Sequence, residues 1–117
     1  MTASDQCLFC RIVRGDIPAT VVYKGDGITA FRDISPQSPV HVLIVPDVHI
    51  GGVADLDLAN DELIGRLIRV AANIAREEGI GASGYRLISN QGADAGQSVP
   101  HLHVHLLGGA RLRLPLV

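Results

Sequence analysis

Three histidines stand at alternate positions in His101-Leu102-His103-Val104-His105. In an extended strand, successive side chains point to opposite faces. The spacing therefore puts the three imidazoles on one face, roughly 6.5–7 Å apart from Cα to Cα, with Leu102 and Val104 on the other. Such a row could be the polar side of an amphipathic strand. Three of five histidines fall into alternate slots by chance in roughly one chain in a hundred of this composition, so chemistry is the stronger reading. Two kinds fit. Alternating imidazoles can share a metal ion. Alternatively, one neutral imidazole acts as a nucleophile while its neighbours handle protons and charge, a role suited to a side chain that titrates near neutrality.

The loop before the row bears on that choice. Gly92, Gly96, Gln97 and Ser98 lead into it. Glycines let backbone N–H groups approach an anion, and Gln97 and Ser98 can donate to oxygens. Beside three histidines, this reads as a phosphate held next to a nucleophile. Cys7-Leu8-Phe9-Cys10 is a second constellation, with three readings: a zinc half-site, a redox pair, or two buried thiols. The redox reading wants a preceding strand within a parallel βαβ unit, which six residues cannot supply. Asp33, before Ser35-Pro36, reads locally as a residue opening an Asx-turn.

The elements that must position these groups fit into a small chain. At 117 residues there is room for one domain, 1–117, with 1–4 expected to fray and 110–117 to form a C-terminal tail. Apolar residues make up 47% and charged residues 19%, a globular mix. Aromatics are only 3%, so the core must be aliphatic and there is no base-stacking platform. The net charge of -2 provides no field for polymeric nucleic acid, but leaves room for a small phosphate compound. No apolar stretch approaches the roughly 20 residues of a membrane span, so no membrane association is expected. Met1 to Arg14 lacks a basic cluster followed by an apolar run, and two cysteines cannot build a disulfide framework. The expectation is a reduced, soluble, cytoplasmic protein.

The pattern predicts a short helix over Cys7–Val13 stopped by Gly15, and a hairpin of Thr20–Lys24 and Ile28–Arg32 turning at Gly25-Asp26-Gly27. A buried strand is predicted over His41–Val45. One long helix is predicted between about Leu58 and Glu78, capped by Asp57 and ended by Gly79, with Leu63, Ile64, Leu67, Ile68, Ala71, Ile74 and Ala75 on its apolar face. Strands follow at Tyr85–Ser89 and Pro100–Leu107. Connections this short favour antiparallel pairing, so the class is α+β: a mainly antiparallel five-stranded sheet with one long and one short helix.

Taken together, Gly96-Gln97-Ser98-Val99-Pro100-His101-Leu102-His103-Val104-His105-Leu106-Leu107-Gly108-Gly109 resembles the histidine triad family, closest to its nucleotide-binding, Hint-type branch. Phe31-Arg32-Asp33-Ile34-Ser35-Pro36-Gln37, His41, Pro46 with His49, Tyr85-Arg86 and Asn90 match the rest of that pattern, over roughly Asp5 to Gly109. The resemblance implies a hydrolase cleaving nucleoside 5'-phosphoramidates through a nucleotidyl-histidine on His103. His105 and Ser98 would bind phosphate oxygens or protonate the departing amine, with His41 in support. It implies nucleotide contacts at Phe9, Phe31, Asp33, Ile34, Leu43, Asn90, Gly96, Gln97, Ser98, Val99, His103 and His105; Leu8 and Ile12 also match base-pocket positions. Asp33 would accept hydrogen bonds from the ribose hydroxyls. It further implies a homodimer binding a purine nucleoside monophosphate or phosphoramidate, and a structural zinc on Cys7, Cys10, His49 and His101 that takes no part in the chemical step. The alternatives are a nucleotide-binding regulatory module, a dinucleoside polyphosphate hydrolase, and a metal-dependent hydrolase with the whole triad on one ion. Pro100, Arg32 and a C-terminus without tryptophan depart from the branch's pattern at positions that bear on substrate preference, above all on the leaving-group side.

Overall fold

The computed structural model describes residues 3–113. Its elements are α1 (Ala3–Gln6), α2 (Leu8–Arg14), β1 (Val21–Gly25), β2 (Ile28–Arg32), β3 (Val40–Pro46), α3 (Asp61–Glu77), β4 (Tyr85–Ile88) and β5 (Val104–Gly108). The five strands form one sheet in the order β1-β2-β3-β5-β4, antiparallel at every pairing. The α+β class and the five-stranded sheet are as the sequence predicts. The frayed segment expected at 1–4 lies partly outside the described residues, and Ala3 begins a single helical turn. Of the C-terminal tail, 114–117 lie outside them.

The sheet separates two apolar layers by strand alternation. Val42 and Ile44 of β3, with Val104 and Leu106 of β5, face Leu67, Val70, Ala71 and Ile74 of α3. Phe31 of β2, with Leu43 and Val45 of β3, faces the other way and packs on Cys7, Phe9 and Cys10 at the start of α2. The first layer is the larger aliphatic core, and truncating Leu67 to Ala there would cost about 2–5 kcal/mol through lost transfer energy and a residual cavity. The second layer is thinner and carries the histidines.

Three local differences from the sequence reading have physical causes. The long helix begins at Asp61, not Leu58. Asp57 accepts from the Ala59 N–H at 2.9 Å and donates its own N–H to Asn60 Oδ1 at 2.9 Å, which closes a separate turn of 3-10 helix over Leu58–Asn60. On α3, Val70 is buried while Ile68 faces outward. The last strand begins at Val104 rather than Pro100, because the backbone before it is engaged elsewhere. The His101 N–H bonds the Val99 carbonyl at 2.8 Å, and the Leu102 N–H bonds that of Ile50 at 2.6 Å. The β1–β2 turn is as expected, with Asp26 (φ 56) and Gly27 (φ 80) both left-handed, the conformation a tight hairpin turn needs.

Candidate active site and metal cluster

His103 and His105 lie on the α2 side of the sheet, their rings 5.0 Å apart between centroids. Phe9 stands edge-on to His103 at 5.0 Å and to His101 at 5.9 Å, so the three imidazoles share one face as the alternation predicts. Their environments differ sharply, and hydrogen bonds fix each ring.

His103 Nδ1 lies 2.7 Å from the carbonyl oxygen of His101. That oxygen can only accept, so the neutral ring carries its proton on Nδ1 and leaves the Nε2 lone pair free. The backbone at His103 is held in turn by the Ser89 hydroxyl, which donates to its carbonyl at 2.9 Å.

A second chain sets His105. The Gln37 N–H donates to His41 Nδ1 at 3.0 Å. Neutral His41 therefore bears its proton on Nε2, which points at His105 Nδ1 at 2.9 Å. His105 must then present an N–H from Nε2. Leu43 pairs with His105 across β3 and β5, and His41 lies two residues along, the diagonal position from which long side chains meet. Burial, followed by the nearby His103 and His41, pushes the His105 pKa down to about 4. Burial also lowers that of His41, against an opposing pull from Asp33. Both rings are neutral at physiological pH.

A cavity of about 340 Å³ opens over these groups, the size of a small-ligand site. Phe9, Phe31, Asp33, Ile34, Leu43, Ser98, Val99, His103 and His105 all line it, as do Leu8 and Ile12. Ile17, Pro18 and Ala19 also line it, although no motif flags them. Ile34 is 97% exposed, an apolar side chain at the rim that an occupant would cover. Asp33 does two things at once. Its Oδ1 accepts from the Ser35 N–H at 2.8 Å, the Asx-turn, and its Oδ2 sits 3.5 Å from His41 Nε2. Asn90, Gly96 and Gln97 are not in the cavity wall. The Gln97 side chain instead braces the loop, donating to the Gly51 and Val99 carbonyls at 2.8 and 3.2 Å and accepting from the Gly92 N–H at 2.8 Å. Arg32, at the cavity edge, makes a two-pronged ion pair with Glu78 at 2.7 and 3.1 Å.

Behind the triad, Cys7, Cys10, His49 and His101 bring their ligand atoms within 4.8 Å of one another. His101 Nδ1 lies 3.3 Å from Cys7 Sγ and 3.4 Å from Cys10 Sγ, and His49 Nδ1 lies 3.3 Å from Cys10 Sγ. Zinc bonds of about 2.3 Å to sulfur and about 2.0 Å to nitrogen place tetrahedral donors about 3.5 Å apart, so this donor set fits a closed four-coordinate zinc site. His101 is fully buried, and its Nε2–H donates to the Pro46 carbonyl at 2.8 Å, which turns the Nδ1 lone pair to the cluster. Burial, and then the sulfur of Cys7, push the Cys10 thiol up to about 11, so without a cation it stays protonated. The triad does not converge on one ion: His101 belongs to this cluster, His105 groups with Asp33 and His41, and His103 joins neither.

The fold and site define a small α+β protein with an oriented imidazole in the wall of a cavity the size of a small-ligand site. Residues 14–112 match the family model described as the HIT domain, and the chain belongs to that family. It is 49% identical to the purine nucleoside phosphoramidase of Escherichia coli (strain K12), over 93% of this chain and 92% of that protein. It is 44% identical to a 14 kDa zinc-binding protein of Zea mays, over 92% and 85% of the two chains. Among solved structures, a HIT family hydrolase from Legionella pneumophila matches with a TM-score of 0.91 at 46% identity, over 93% of this chain and 97% of that one.

Proposed function

We propose that this chain hydrolyses nucleoside 5'-phosphoramidates, taking a purine nucleoside monophosphate joined to an amine and releasing both. The observation that carries this reading is the orientation of His103, whose Nδ1–H is held by the His101 carbonyl, leaving the Nε2 lone pair free on a ring that lines the cavity. The 49% identity to a purine nucleoside phosphoramidase supports the substrate class. The base would lie against Phe9, Phe31 and Leu43, and the ribose hydroxyls would donate to Asp33.

His103 Nε2 attacks the α-phosphorus while the P–N bond to the amine breaks, giving a nucleotidyl-histidine. The His105 Nε2–H and the Ser98 hydroxyl face the oxygens on which charge develops and the departing nitrogen. Water then cleaves the histidine–phosphorus bond. Over the cycle one water is consumed: its hydroxyl ends on phosphorus and its remaining proton on the amine. His41 acts through His105, holding its tautomer.

Zinc on Cys7, Cys10, His49 and His101 would be structural, since four protein donors leave no open position. The zinc-binding name of the maize relative supports the metal's identity. The chain would act as a homodimer in the cytoplasm. Edge strand β4 and the outward Ile68 and Tyr85 support a two-fold contact, and two free cysteines set for a metal suit a reducing compartment. The test is a panel of adenosine and guanosine phosphoramidates alongside dinucleoside polyphosphates. Phosphoramidates should be cleaved with the higher kcat/KM; no turnover of any of them overturns the reading.

A further inference from the structure

Strand β2 ends at Arg32, directly before Asp33. Ile28 and Ala30 of that strand pack in the α3 layer and Phe31 in the α2 layer. The same alternation sends the Arg32 side chain toward α3. There it meets Glu78, the residue that caps the C-terminal end of α3, through two hydrogen bonds of 2.7 and 3.1 Å. A carboxylate at that end of a helix opposes the helix dipole and calls for a cation, which Arg32 supplies. Hydrogen bonding to Arg32 holds the Glu78 carboxyl below the usual carboxylate range. Both partners stand on fixed backbone: the Glu78 N–H donates to the Ile74 carbonyl at 2.8 Å, and the Arg32 N–H to that of Thr20 at 3.0 Å. One residue on, the Asp33 N–H still donates to the His41 carbonyl at 3.0 Å, and the chain then leaves the sheet through a segment with two prolines, Pro36 and Pro39.

We propose that Arg32 and Glu78 are positioning residues for Asp33, and that their ion pair sets the preference of the site for ribonucleotides over 2'-deoxyribonucleotides. The inference rests on the ribose role given to Asp33 above and adds the groups that make it effective. A carboxylate that receives both hydroxyls of a vicinal diol must be placed closely, because hydrogen bonds weaken steeply with angle. Asp33 has little slack: its Oδ1 accepts from the Ser35 N–H at 2.8 Å and its Oδ2 lies 3.5 Å from His41 Nε2. A planar guanidinium gripped by two prongs fixes direction as well as distance. It anchors the residue beside Asp33 to a 17-residue helix, so the carboxylate inherits the rigidity of α3. The same helix grips the hairpin a second time, where Arg66 donates to the Asp26 carbonyl at 3.1 Å. That clasp lies at the turn, the opposite end of β2 from Asp33, and serves as a control for general loosening.

The test compares the affinities of AMP and 2'-deoxy-AMP by titration calorimetry, a measurement that needs no turnover. The wild-type chain should favour AMP by about tenfold. Glu78→Gln should reduce that ratio to about threefold, through weaker AMP binding, since a half-exposed ion pair holds its partner by a modest amount. Arg32→Lys keeps the charge and loses the two-pronged grip, so its ratio should fall between the two. Arg66→Gln should leave the ratio at the wild-type value. An unchanged ratio in both Glu78→Gln and Arg32→Lys, or an equal loss in Arg66→Gln, overturns the positioning role and leaves the hydrolase reading standing. A wild-type chain that binds the two nucleotides equally overturns the ribose role of Asp33 and this inference with it. Phosphoramidates left uncleaved by a chain that shows the expected ratios would overturn the hydrolase reading alone.

Discussion

His103 hangs from the backbone of His101: its Nδ1–H reaches the His101 carbonyl oxygen at 2.7 Å, while the His101 side chain turns back into the cysteine cluster. The candidate nucleophile and the Cys/His cluster thus share one residue: its main chain orients the His103 ring, and its side chain joins the cluster. A ring oriented through a carbonyl is insensitive to side-chain changes around it. Its reactivity depends on how firmly that stretch of backbone is held.

His103→Ala should therefore remove turnover and leave the pocket intact. Loss of a covalent nucleophile costs on the order of 10³-fold or more in kcat, whereas Phe9, Phe31 and Asp33 still hold a nucleotide. Single-turnover kinetics and AMP titration calorimetry separate the two effects. A variant keeping more than about a tenth of wild-type kcat would rule out His103 as the nucleophile.

Protein purified without chelator should carry one zinc per chain. Cys10→Ser should lower the melting temperature by more than about 10 °C, because metal binding contributes directly to folding. The rate should change far less, provided the assay is run well below the new transition. Elemental analysis and calorimetry check both parts. Fully active protein with less than about a tenth of an equivalent of metal, and both thiols titratable, would leave Cys7 and Cys10 as small apolar residues.

The side-chain row was readable because alternation and chemical type coincide: histidine at every second position announces a face. Cys7 and Cys10 were readable from their spacing. The groups that fix the rings were not, because several are main chain. The Gln37 amide that sets His41 and the Pro46 carbonyl that sets His101 would be supplied by any residue at those positions. Ile17, Pro18 and Ala19 line the cavity through where the loop after α2 runs, which no local pattern encodes. Ile68 fits the helical stripe yet faces outward, since Leu63, Leu67, Val70, Ala71 and Ile74 already cover the sheet. The triad's first two histidines precede the regular strand, where loop carbonyls take the His101 and Leu102 amides.

Stability should fall with acid between about pH 6.5 and about pH 4. In the unfolded chain His41 and His105 take up protons near 6.5; in the native chain both are held lower, His105 at about 4. Across that window the unfolded state binds more protons, so stability rises with pH and is lost on acidification. Urea midpoints at pH 7.5, 6 and 5 should decline in order, with a shallower decline in His105→Asn. Midpoints that stay level from pH 7.5 to 5 would contradict the neutral pair.

In solution the chain should be a dimer. β4 is an edge strand with exposed Tyr85 at its start, and α3 carries the outward Ile68. Light scattering at micromolar concentration should give twice the chain mass of 12.4 kDa. Ile68→Glu should shift the distribution toward monomer by placing a charge in the contact. A wild-type mass near that of one chain would count against the arrangement.

Asp33→Asn should separate the two jobs of that side chain. The amide oxygen can still accept from the Ser35 N–H, so the Asx-turn and the fold should persist, with a stability change within about 1 kcal/mol. What the amide lacks is a second, charged acceptor for a vicinal diol. Hydrogen bonds to a charged group contribute about 1.5–3 kcal/mol, against about 0.5–1.5 for neutral pairs. Wild-type protein should thus prefer an adenosine phosphoramidate over its 2'-deoxy analogue by about tenfold or more in kcat/KM, and Asp33→Asn should reduce that preference to a few fold. The ratio is the decisive readout, because a general disturbance of the loop would slow both substrates alike. An unchanged ribose preference in Asp33→Asn would leave Asp33 a turn residue and nothing more.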